Sequence, residues 1–145
     1  MKTALWKAAL WMSALALAAL GTAIVLPMNS HDDADLSTRR ASKTGMYEVS
    51  YAPEVSPVPK RKLHSWTVEL RTRDGRPVDG ARIAVDGGMP DHGHGLPTRP
   101  AVREALGDGR YVIDGVKFNM GGYWVVDLAI ESEHGADTVR FELKL

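Results

Sequence analysis

The 145-residue chain has no cysteine. That excludes a disulfide framework, a lipid-modified N-terminal cysteine and any thiolate metal site, so a metal held here must use His, Met, Asp or Glu. Net charge is absent too: 18 Lys and Arg balance 18 Asp and Glu. A neutral chain gives no electrostatic case for nucleic acid as a partner. Recognisable enzyme motifs are also missing. Serines, histidines and aspartates occur in no nucleophile-elbow or metalloprotease pattern, and there is no glycine-rich phosphate loop. Asp86, Asp91 and His92 are close in sequence, but a hydrolytic site also needs a nucleophile and an oxyanion donor. The expectation is a protein that is not an enzyme.

What the chain does have begins with an apolar run. Lys2 and Lys7 precede Ala8 to Leu26, which carries no charge. A basic start followed by an apolar core is the pattern of an export signal, and the run is nearly long enough to span a bilayer as a helix. Gly21-Thr22-Ala23 offers small residues for cleavage, while the apolar run continues past them. Residues 1–26 are therefore expected to be either a signal peptide or an N-terminal transmembrane helix. Both place the remainder outside the cytoplasm, with Lys2 and Lys7 staying inside. Without residues 1–26 the chain holds 16 basic residues against 18 acidic ones, a net of −2. Residues 27–45 are polar and read as a flexible tether. His31 lies in that tether, where a lone histidine is usually solvated. The run Lys60-Arg61-Lys62 reads as a solvated linker or strand edge.

From Met46 onward the pattern is short strands separated by turns, without a helical period. Tyr47, Val49 and Tyr51 face one way, then Pro53, Pro57 and Pro59 interrupt. His64, Trp66, Val68 and Leu70 alternate with polar residues. Asp74-Gly75 marks a tight turn. Ala81, Ile83 and Val85 mark a further inward face that Gly87-Gly88 would end. Ala101–Leu106, the Tyr111 and Ile113 segment, Trp124–Ile130 and Val139–Leu145 complete the series. About seven strands in about 100 residues fit an all-β, immunoglobulin-like β-sandwich, with residues 46–145 as the domain. Trp66 and Trp124 are expected to anchor its core.

One loop carries the chemistry. Gly88-Met89-Pro90-Asp91-His92-Gly93-His94-Gly95-Leu96-Pro97 places a thioether and two imidazoles within six residues. Soft sulfur with imidazole suits copper, Cu(I) in particular. An extended His92-x-His94 would direct both rings to one side, with Pro90 and Pro97 stiffening the ends. Met120 could add a second thioether, and His64, with the inward parity of Trp66, a third imidazole. The candidate ligand set is thus Met89, His92, His94, Met120 and His64. The alternative is structural: His92 and His94 hydrogen-bond the loop, and Met89 and Met120 fill core gaps.

The segments Tyr47-Glu48-Val49-Ser50-Tyr51, His64-Ser65-Trp66-Thr67-Val68, Val85 to Pro97 and Gly109 to Trp124, in that order, resemble the YtkA-like domain, related to the FixH group. The Met-Pro-x-His-x-His-Gly block is the most specific part. The resemblance spans about residues 46–145. It implies an exported or membrane-anchored bacterial domain of the cell envelope, inner-membrane anchored facing the periplasm or secreted there. It also implies an association with copper-containing oxidases and their assembly. In the second block many members have His where this chain has Asn119, so a ligand at that position would be lost. Two expectations follow. One is a copper-binding or copper-delivery domain. The other is a metal-free interaction module that binds another envelope protein. The membrane, through the N-terminal helix, is an expected partner in both.

Overall fold

Strict alternation builds the sheet. Along β3 (His64–Thr72) buried and half-buried residues alternate over all nine positions, as in a strand with one face on a core. The computed structural model describes residues 31–145, so the apolar segment 1–26 lies outside the described residues. The other strands are β1 (Arg39–Ala41), β2 (Tyr47–Pro53), β4 (Arg82–Met89), β5 (His94–Gly95), β6 (Ala101–Gly107), β7 (Arg110–Val116), β8 (Tyr123–Ser132) and β9 (Gly135–Lys144). All strand pairs are antiparallel, in the order β1-β2-β3-β7-β6-β4-β8-β9, with β5 paired to β4. Among the described residues, no helix is long and apolar enough to cross a membrane.

The sheet nearly closes on itself. The N–H of Lys43, just after β1, donates to the Thr138 carbonyl of β9 at 2.7 Å. Arg40 Nη1 donates to the Arg140 carbonyl at 2.8 Å. At the other seam β4 and β6 share a single pair, Ala84 with Ala101. The interior is aromatic. Trp66 and Trp124 are each 1% exposed, in line with their expected anchoring role. Tyr51 stacks on Trp66 at 4.2 Å and meets Phe141 edge-on at 4.8 Å, while Phe118 meets Trp124 edge-on at 5.1 Å. These rings tie β2 and β3 to β8 and β9 across the interior. Each buried ring removes some 150–250 Å² from water, about 4–6 kcal/mol at 25 cal/mol per Å². That burial does the work a disulfide would otherwise share.

Two strands lie outside the sequence expectation, making nine among the described residues in place of about seven. β1 falls in the segment read as a tether. Its three residues have no buried position, so nothing in their polarity marks a strand, and pairing with β2 together with the Arg40 contacts to β9 orders them. β5 is two exposed residues held only by β4. Nor does β4 end at Gly87-Gly88. It continues to Met89, because two residues without side chains let β8 and β5 approach on either side.

Candidate functional site

The Met-His loop is the connection of the β4–β5 hairpin. Gly88 pairs with Gly95, and Met89 with His94. A Cβ at Gly88 would collide with the His94 carbonyl oxygen and lie 2.9 Å from Gly95 Cα. Glycine is therefore required for the hairpin to close. Pro90–His92 forms one 3-10 turn, entered through a proline whose missing N–H is not needed there. Gly93 ends it in the left-handed region, φ 63° and ψ 22°. This corrects the extended His92-x-His94 expected from sequence. His92 belongs to the turn and His94 to the strand, because Gly93 reverses the chain between them. The rings still face each other, nearly parallel at 15°, with centroids 6.3 Å apart.

The rings are within reach of one small transition-metal ion, but not as they stand. A nitrogen–metal bond of about 2.0 Å puts the ion about 3 Å from a ring centroid and in the plane of the ring, so facing rings must turn about their side-chain bonds before both nitrogens meet one ion. Both histidines are exposed. Met89 is different: it is 2% exposed and belongs to the core. Its Cε packs against Gly122, where an added Cβ would stand 2.8 Å away. Met89, His94 and Val125 line one shallow depression of about 260 Å³.

The other two candidates are on other segments. Met120 is 45% exposed, and its carbonyl accepts the Trp124 indole N–H at 3.1 Å. His64 is buried beside Phe118, with centroids 5.8 Å apart. Its Nδ1 is 3.2 Å from the Lys62 carbonyl, and its Nε2, like Trp66 Nε1, is buried without a hydrogen-bond partner among the described residues. Among the described residues no three His, Asp or Glu side chains gather where they could hold one ion. His64 therefore does not join His92 and His94. An ion at the turn would have two imidazoles, with Met89, buried in the core and paired with His94 across the hairpin, contributing a thioether only if its side chain turned outward.

A family profile described as YtkA-like matches residues 39–129. The chain belongs to the YtkA-like family. The matched span of this YtkA-like chain starts at β1 and takes in both the Met-His turn and the Phe118–Gly122 segment. Its fold is similar to the crystal structure of a DUF4426 family protein from Pseudomonas aeruginosa PAO1. The TM-score is 0.54 at 17% identity, over 75% of this chain and 96% of that one. No curated protein sequence matches the chain.

In this YtkA-like domain the residues that hold the turn in place were not legible from sequence. His31 stacks on Tyr123 of β8, with ring centroids 3.6 Å apart and planes 8° apart. Its Nε2 lies 2.8 and 2.9 Å from the two Asp91 carboxylate oxygens. Asp91 is the middle residue of the turn, so His31 and Tyr123 fasten the turn to the sheet. Burial holds the Tyr123 phenol above its ordinary pKa, and neighbouring Glu142 adds to this. Tyr123 thus presents a neutral ring to His31. The partners are 60 or more residues apart in sequence, and nothing local signals the contact.

Proposed function

We propose that this YtkA-like chain is an exported or N-terminally anchored envelope domain of immunoglobulin-like β-sandwich type that binds copper at the Met-His turn. One observation carries the reading: two exposed imidazoles on a glycine- and proline-shaped turn lie 6.3 Å apart, close enough to share one ion once their rings turn. Neutral imidazole nitrogens at His92 and His94 would hold the metal, and Met89 would add soft sulfur that favours Cu(I). The chemistry supplied is ion capture and transfer in metal handling or oxidase assembly. Titrating the full chain with Cu(I) and Cu(II) against His92→Ala/His94→Ala tests this. The wild type is expected to bind at least tenfold more tightly, and equal weak binding by both would exclude the site.

The burial of Met89 favours a second reading, a metal-free module that docks another envelope protein. In that case the turn is purely structural. The double variant then loses thermal stability whether or not a chelator is present, and added copper leaves the wild-type Tm unchanged.

A further inference from the structure

The run Lys60-Arg61-Lys62, which the copper reading leaves unused, is not simply a solvated linker. Lys60 bridges to Phe118, and the Arg61 N–H donates to the Phe118 carbonyl at 2.7 Å. Arg61 has φ 65°, a left-handed backbone that disfavours a long side chain and tends to persist at functional positions. Gly122 and Leu145 exchange both backbone hydrogen bonds, 2.8 and 3.0 Å, and Gly122 touches Met89. The basic run, the Phe118–Gly122 segment, the C-terminus and the Met-His turn therefore share one end of the sheet.

That end is basic and apolar together. Residues 53–63 and 116–122 contain Lys60, Arg61, Lys62 and Lys117 against one acid, Glu54. Of the nearby acids, Asp91 is engaged by His31, Asp32 by Lys144, Asp35 by Arg40, and Glu142 by the Asp35 N–H and Arg40, and Asp33 adds one exposed carboxylate. Leu63, Val55, Leu36 and Met120, exposed by 66, 49, 48 and 45%, belong to this end, whereas Leu106 belongs to the opposite one. His31, the first described residue, is docked here as well. Five residue steps separate it from Leu26, the last residue of the apolar run, and they reach at most about 18 Å.

We infer that this end of the domain rests on an anionic lipid bilayer, with Lys60, Arg61 and Lys62 at the headgroups and Leu63, Val55 and Met120 in the interface. Cationic heads beside exposed apolar side chains are the composition of a surface that lies on a charged membrane. The short reach from Leu26 to His31 brings the same end to the bilayer if residues 8–26 are an anchor. In this respect the inference rests on the envelope reading above. It turns the Met-His loop toward the membrane, where a membrane-embedded donor or acceptor of the ion would meet it.

The absence of cysteine makes a test direct. Val55→Cys and Leu106→Cys each supply a unique label on the full chain, reconstituted in phosphatidylglycerol-containing or pure phosphatidylcholine vesicles. Energy transfer to a headgroup acceptor should be strong from position 55 and weak from 106, the two ends being roughly 25–30 Å apart at strand rise. Lys60→Gln/Arg61→Gly/Lys62→Gln removes the charge and relieves the backbone at 61. It should cut transfer from position 55 at least twofold in the anionic vesicles only. Equal transfer from 55 and 106, or a triple variant with no effect, overturns the inference and leaves the patch to a protein partner. An alkaline wash tests the anchor separately. A chain that washes off refutes the anchor alone, while salt-sensitive binding to anionic vesicles that the triple variant abolishes still supports the lipid-facing surface.

Discussion

Replacing Asp137 with alanine opens the seam where the sheet nearly closes. The Asp137 carboxylate, 7% exposed, accepts the Thr44 N–H at 3.1 Å and the Thr44 hydroxyl at 2.6 Å. It also accepts the Met46 N–H at 3.4 Å and the Thr138 N–H at 2.8 Å. A hydrogen bond to a charged group contributes about 1.5–3 kcal/mol, but several on one carboxylate do not add. We expect a loss of about 3 kcal/mol, near the top of ordinary single-substitution effects, and a Tm lowered by roughly 10 °C. The loss has a pH signature. Burial is the largest influence on Asp137 and pushes its pKa up. The hydrogen bonds from Ser42, Thr44 and the Thr138 backbone together outweigh it and hold the carboxyl well below the usual carboxylate range. A depressed folded pKa stabilises the fold fully above the unfolded value of about 3.9 and progressively less as pH falls toward the folded value. Urea unfolding at pH 7 and pH 3 should therefore show the gap between wild type and Asp137→Ala narrowing by about 1 kcal/mol, since 1.36 kcal/mol per pH unit acts over roughly one unit. A gap below about 1 kcal/mol at pH 7, or one that pH does not change, would refute the clasp.

The turn itself yields two further tests. Gly88→Ala forces the β4–β5 hairpin apart, since its Cβ collides with the His94 carbonyl; we expect about 1–3 kcal/mol of lost stability by urea unfolding and at least a tenfold loss of copper affinity by titration, and wild-type affinity in this variant would show that the paired turn is not what aligns the histidines. Met89→Leu, which conserves volume, should cost less than about 1.5 kcal/mol where Met89→Ala costs about 2–5. Loss of Cu(I) but not Cu(II) affinity in Met89→Leu identifies the thioether as a ligand, and unchanged Cu(I) affinity confines Met89 to the core.

The strands that face the core were legible because burial writes itself into the chain with period two. The alternation of His64, Trp66, Val68 and Leu70 is the alternation of buried residues in β3, and Trp124, Val126, Leu128 and Ile130 are all buried in β8, where Val125 is the one further buried residue. β1 and β5 were not legible. Neither buries a residue, so each is a strand only because a neighbour supplies hydrogen-bond partners. The Met-His loop could be picked out by composition, and its glycines announced a tight connection. Its shape could not be read, because a left-handed Gly93 converts an extended pair into a turn followed by a strand.

By itself the sequence determined an all-β domain of the YtkA-like family with a cysteine-free core and a loop bearing a thioether and two imidazoles, since periodicity and ligand type are local properties. Tertiary structure decided what those ligands are near. It drew Met89 into the core, set His64 among aromatic rings, brought the His92 and His94 rings to 6.3 Å, and placed His31 and the Lys60–Lys62 run at the same end as the turn. Those placements depend on which strands pair and where the sheet closes, interactions between residues tens of positions apart that no local pattern encodes.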